Sequence, residues 1–124
     1  MSERYDFLGV GGLAVDWVIA VNQPLPLTDD KYPARLVGKL PGGFIANATC
    51  GAARLGLRSA FIGWAGDDAD ADLLADDFRR HEVDPAGLVR VPGEVTPFTV
   101  VITDDDARRA ILLPSSPLYS QPLA

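Results

Sequence analysis

One cysteine and one histidine are all the thiol and imidazole that the chain carries among its 124 residues. The lone cysteine excludes an internal disulfide and a cysteine-built zinc cluster. The lone histidine excludes the paired-histidine metal motifs. Basic residues are outnumbered 11 to 17, giving a net charge of −6 and a sequence pI near 4.5. That balance argues against nucleic acid as a partner, since its binders carry a basic face, and against an anionic membrane surface. No apolar run is long enough to span a bilayer, and no apolar leader stretch follows the opening Met-Ser-Glu-Arg-Tyr-Asp. The expected setting is soluble, reducing and cytoplasmic. There are no internal repeats and no G-x-S-x-G. A P-loop is also missing, because Gly38-Lys39 lacks both the upstream glycine and the following Ser/Thr.

What is present is globular: 48% hydrophobic and 23% charged residues in 13.2 kDa, the size of about one domain. Tyr5–Val10 reads as a buried strand running into glycines, and Ala14–Val21, β-branched and apolar, as a second strand. Asn22–Lys31 is a proline-bearing loop, and Pro33–Leu40 a more exposed strand. The small-residue stretch after Gly42-Gly43 predicts a helix over 43–56, with Ile45, Ala48, Ala52 and Leu55 on one face and Gly56 as its C-terminal cap. Gly51 weakens that helix and suggests close packing on a sheet. Arg58–Ala65 reads as a buried strand. A second helix is expected over 68–82, with Leu73, Leu74, Asp77, Phe78 and His81 at helical spacing, acids in its first turns and bases in its last. Val83–Pro85 is expected to end it and Leu88–Val91 to be a short strand. Phe98–Thr103 and Arg109–Leu113 flank Asp104-Asp105-Asp106-Ala107 as a hairpin. The tail Pro114–Ala124 shows no periodic element. Strand, helix, strand, helix, strand implies an α/β fold with parallel pairing.

Several motifs fail on inspection. Gly9-Val10-Gly11-Gly12-Leu13-Ala14 matches the dinucleotide fingerprint G-x-G-x-x-A, but that motif needs a helix to open there. VDWVIAV followed by two prolines is poor helix sequence, so a glycine turn between strands is the plainer reading. Asp68-Ala69-Asp70-Ala71-Asp72 begins like a calcium loop, yet Leu73 and Arg79 stand where Gly and Glu are required. These acids read as a helix cap and a solvated face. Cys50, among alanines, reads as a buried small side chain. Neither a metal site nor a cofactor site is legible. Two features remain. Asp16 sits in an apolar strand just after the glycine turn. Either it accepts hydrogen bonds from vicinal hydroxyls of a polyol or it faces water from a half-exposed sheet. Gly42-Gly43 opens the first helix with Asn47 one turn inside, which suits either an oxygen-rich ligand near free N–H groups or a simple turn with a polar cap.

Taken together, Gly42–Asp67 resembles the first signature of the ribokinase/PfkB family of carbohydrate kinases. Its parts here are Gly42-Gly43, Asn47, Leu55-Gly56 and Gly63-Trp64-Ala65-Gly66-Asp67. The opening strand, glycine turn and acidic strand, and the later hairpin with Arg109 after its turn, are similar to that family as well. The departure is Ile45, where the family carries Gly, Ala or Pro. The resemblance implies a ribokinase-like α/β fold of Rossmann-type βαβ layers with a small β-sheet lid built from about 14–21 and 33–40. It also implies transfer of a phosphoryl group from ATP, with Mg2+, to a sugar or nucleoside hydroxyl. By the same resemblance Asp16 would bind substrate hydroxyls, Gly42 and Gly43 would lie against the substrate, and Asn47 would line the pocket or hold the loop. The family's catalytic aspartate, in a later Gly-Ala-Gly-Asp turn, is not in this sequence. The chain is therefore expected to be one partial domain: a truncated product, a fragment or one piece of a split protein. It should be inactive alone, with no catalytic residue and no strong ATP site of its own. The alternatives are a non-catalytic remnant or self-associating module, a homodimer through the lid or a sheet edge among its forms, and a dinucleotide-binding domain.

Overall fold

The computed structural model describes residues 4–120. The order is β1 (Phe7–Val10), β2 (Ala14–Val21), β3 (Ala34–Gly42), α1 (Phe44–Arg54), β4 (Ser59–Gly66), α2 (Ala69–Arg80), β5 (Val83–Val91), β6 (Phe98–Thr103) and β7 (Arg109–Leu112), then a 3-10 turn at Pro117–Ser120. Two sheets form. One is parallel with order β1-β4-β5; the other has order β3-β2-β6-β7. In the second sheet β2 runs antiparallel to β3 and parallel to β6, and β7 returns antiparallel to β6.

Both helices lie on one face of the parallel sheet. Gly9 and Phe61 are register partners and so share a face. A Cβ on Gly9 would stand 2.0 Å from Thr49 Oγ1 of α1, while Phe61 stacks on Phe78 of α2 with ring centroids 4.9 Å apart. Leu13, Val15, Phe61, Leu74 and Phe78 make the centre of the core. The buried face of α2 is Ala71, Leu74, Ala75 and Phe78. Asp68 caps α2, its side chain accepting the Ala71 N–H at 3.0 Å, and Arg79 and Arg80 close it against the helix dipole. Gly56, at φ +93, ends α1. Its N–H donates to the Ala53 carbonyl at 3.0 Å and that of Leu57 to the Ala52 carbonyl at 3.2 Å, the two bonds of a glycine-terminated helix.

Four expectations are corrected. The buried face of α1 is Ala46, Thr49 and Ala52, not the Ile45/Ala48/Ala52/Leu55 stripe: Leu55 is 85% exposed. Among residues this small, hydrophobicity does not tell one helix face from the next. Gly51 is exposed, and a Cβ there would meet nothing within 4 Å, so no sheet requires it. Val83–Pro85 does not merely end α2; it begins β5, which runs through Pro85 and Gly87 beside a register shift in the β4 pairing. The tail contains a 3-10 turn whose Leu118 is buried.

Defined points tie the four-stranded sheet and the β5–β6 connection to α2. Trp17 on β2 stacks on Phe98 at 4.6 Å, its Nε1–H donates to Asp70 Oδ2 of α2 at 3.0 Å, and Lys39 of β3 donates to Asp70 Oδ1 at 3.2 Å. Thr96 is fully buried. Its N–H and hydroxyl both donate to Asp68, at 2.9 and 2.6 Å, while its Oγ1 accepts the Gly66 N–H at 3.0 Å.

Candidate functional site

Where the glycine turn, the start of α1 and the four-stranded sheet meet, a cleft of about 430 Å³ opens. Its walls include Gly12, Asp16, Gly43, Ile45, Asn47, Thr99 and Tyr119. Separate segments supply these groups: the β1–β2 turn, β2, the β3–α1 junction, β6 and the C-terminal 3-10 turn.

Asp16 is half-buried, and burial pushes its carboxyl above the usual range. No hydrogen bond or ion pair engages that carboxylate among the described residues. An unpaired carboxylate that has lost part of its water is a costly arrangement in a folded chain. Hydroxyl donors from a ligand would relieve it, since each carboxylate oxygen accepts more than one hydrogen bond. Thr99, the register partner of Asp16 on β6, places its side chain on the same face and lines the same cleft.

The two glycines differ in what they do. A Cβ on Gly42 would stand 2.8 Å from Asp16 Oδ2, so Gly42 makes room for the carboxylate. Gly42 is buried behind Asp16 and lies outside the cleft lining, whereas the resemblance had placed it against substrate. Gly43 has φ +100, which disfavours any side chain, and a Cβ there would stand 2.8 Å from Leu13 Cα. It therefore allows two backbones to approach and brings the start of α1 to the cleft. No side chain caps α1, so the N–H groups of its first turn keep their donor capacity on the cleft side. Asn47 is exposed at the cleft wall, its own N–H donating to the Gly43 carbonyl at 2.9 Å. Asp16, Gly43 and Asn47 thus meet in one cleft, with Gly42 directly behind.

The glycine turn leads from β1 into strand β2, so no helix opens on it. The helix N-terminus that would receive a pyrophosphate in the dinucleotide reading is absent. Thr99 and Tyr119 are cleft residues that sequence reasoning missed. Thr99 was legible as the one polar position within FTVVI, while nothing in the proline-rich tail announced Tyr119. Cys50 is half-buried rather than buried, and burial followed by the nearby Asp77 charge pushes its thiol up.

Residues 9–119 match the model of the pfkB family carbohydrate kinases. The chain is 30% identical over 106 residues to a nucleoside kinase of Methanothermobacter thermautotrophicus, covering 86% of this chain and 34% of that protein. It is 35% identical over 116 residues to probable fructokinase-3 of Arabidopsis thaliana, covering 94% of this chain and 32% of that protein. The structure of Arabidopsis thaliana ribokinase complexed with ribose and ATP superposes with a TM-score of 0.78 at 25% identity, over 90% of this chain and 36% of that one. The chain therefore spans about a third of the length of these relatives.

Proposed function

The chain belongs to the pfkB family of carbohydrate kinases, and from that premise we propose that it is the acceptor-binding and lid portion of an ATP-dependent sugar or nucleoside kinase. The observation that carries this reading is the Asp16 carboxylate: partly desolvated, without a protein partner, and set beside Gly42 in a cleft that Gly43 and Asn47 also border. Asp16 accepts hydrogen bonds from two hydroxyls of the acceptor. The open N–H groups at the start of α1 and the Asn47 amide take further oxygens, and Thr99 adds a hydroxyl. Strands β2 and β3 form the lid, and excluding water from the acceptor is what a lid contributes to phosphoryl transfer. ATP is the phosphoryl donor in the complete enzyme. Because the family's Gly-Ala-Gly-Asp turn is not in this sequence, this chain's part is to bind and orient the acceptor, and by itself it does not catalyse transfer.

Calorimetric titration of the chain with ribose, fructose and adenosine tests this. Saturable binding of at least one, weakened at least tenfold in Asp16→Asn, is the expected result. No heat with any member of such a panel, or equal binding by the variant, overturns it.

A second reading, a self-associating non-catalytic module, is favoured by one observation. The face of the parallel sheet opposite the helices leaves Leu8 51% and Val89 48% exposed. Apolar strand faces of this kind draw partners.

A further inference from the structure

The only cysteine and the only histidine of the chain, 31 positions apart in sequence, meet in space. Cys50 lies in the second half of α1. Asp77 and His81 lie at i and i+4 on the last turn and cap of α2, and that spacing puts them on one side of the helix. Because α1 and α2 pack on the same sheet face, one ligand atom from each residue (thiol, carboxylate oxygen and ring nitrogen) falls within 4.8 Å of the other two. They border a groove of about 440 Å³ between the helices. We propose that Cys50, Asp77 and His81 form a three-ligand site for zinc.

The donor chemistry selects the ion. A thiol with an imidazole disfavours Ca2+ and Mg2+, which take oxygen ligands, and suits Zn2+. With zinc bonds of about 2.0–2.3 Å, ligand atoms on a tetrahedral centre stand roughly 3.5 Å apart. A triangle whose longest side is at most 4.8 Å closes to that by small side-chain rotations. The surrounding bonds already orient the ligands. His81 Nδ1 lies 2.8 Å from the Asp77 main-chain carbonyl. Nδ1 also lies 3.6 Å from Asp77 Oδ2, so the imidazole already stands beside the carboxylate oxygen that would share the ion. Arg80 donates to Asp77 Oδ1 at 3.2 Å, leaving Oδ2 for the ion. Binding displaces the Cys50 proton to solvent. Thiolate and carboxylate then balance the two charges of the ion around a neutral imidazole, and a fourth position stays open to the groove for water. The ion would tie α1 to α2 one turn from Asn47, which borders both this groove and the acceptor cleft. The site does not depend on the kinase reading.

Cobalt(II), then zinc, added to the metal-free chain tests it. The expected result is one equivalent of Co2+ with thiolate-to-metal charge-transfer absorption and tetrahedral ligand-field bands, displaced by Zn2+. Cys50→Ser should abolish the charge-transfer band, and His81→Gln should weaken binding at least tenfold. Since a variant that fails to fold would mimic loss of the site, the unmodified chain supplies the second readout: one equivalent of Zn2+ should slow alkylation of its single thiol at least tenfold. Absence of the charge-transfer band, or an alkylation rate unchanged by zinc, overturns the site.

Discussion

Under the proposed function, Asp16 carries opposed demands of stability and binding. Its carboxyl is raised by burial with no partner to compensate. A group whose folded pKa lies above its unfolded value favours folding below the unfolded value, and that contribution is lost as pH rises through the folded value. At neutral pH the Asp16 charge therefore works against the fold. Asp16→Asn should raise the melting temperature slightly at pH 7 while weakening acceptor binding ten- to a hundredfold, the worth of about 1.5–3 kcal/mol in hydrogen bonds to a charged group. Differential scanning fluorimetry and calorimetry on the same samples read both. A fall in melting temperature with binding intact would place Asp16 among the structural residues. Gly51 is the opposite case, exposed in α1 with open space where a Cβ would be. Gly51→Ala should stabilise the chain by about 1 kcal/mol in urea unfolding. Both residues stood out in the sequence because each breaks the pattern of its element. Only the fold showed that one break has a cleft in front of it and the other has nothing.

At the scale of elements, two buried polar knots join segments that hydrophobic pattern alone leaves unconnected. Thr96 holds the β4–α2 junction through Asp68 and Gly66. Burial pushes the Asp68 carboxyl up, but the Thr96 and Ala71 hydrogen bonds outweigh it and leave it below the usual value. Thr96→Val removes the hydroxyl from both partners and should cost about 2–4 kcal/mol of unfolding free energy. A loss under 0.5 kcal/mol, roughly what an ordinary surface change gives, would mean the junction holds without it. Asp104 does similar work in the β6–β7 hairpin. It accepts the N–H groups of Leu25, Asp106 and Arg108 and the Arg108 side chain, at 2.9–3.0 Å. The Leu25 bond first, then the others, hold its carboxyl below the usual range. Its contribution is therefore present above the unfolded pKa of about 3.9 and is lost as pH falls through the lower folded value. Urea midpoints measured from pH 6 down to pH 3 should fall less steeply in Asp104→Asn than in the parent; parallel curves would contradict this. The sequence announced the hairpin and the α2 cap, since turn and cap chemistry is local. It did not announce Thr96 or the hold of Asp104 on Leu25, because those bonds span 28 and 79 positions.

Across the whole molecule, the α/β order and parallel pairing were legible because strands and helices alternate with distinct periodicities. The burial face of α1 was not, because alanines, glycine and threonine carry too little contrast. The cleft was half legible: Asp16, Gly43 and Asn47 sit in motifs, while Thr99 and Tyr119 arrive through strand register and a tail without pattern. The bare sheet face of Leu8 and Val89 predicts concentration-dependent association by sedimentation, reduced by Leu8→Lys; a monomer at all concentrations would set the second reading aside. Under the proposed function, distant segments converge to hold one hydroxylated ligand. Amide NMR titration of the chain with ribose, fructose and adenosine tests it most directly. Shifts gathered on residues 12–16, 43–47, Thr99 and Tyr119 are expected for at least one ligand, at concentrations at least tenfold higher in Asp16→Asn. Shifts gathered elsewhere, or none with any of the three, would contradict it.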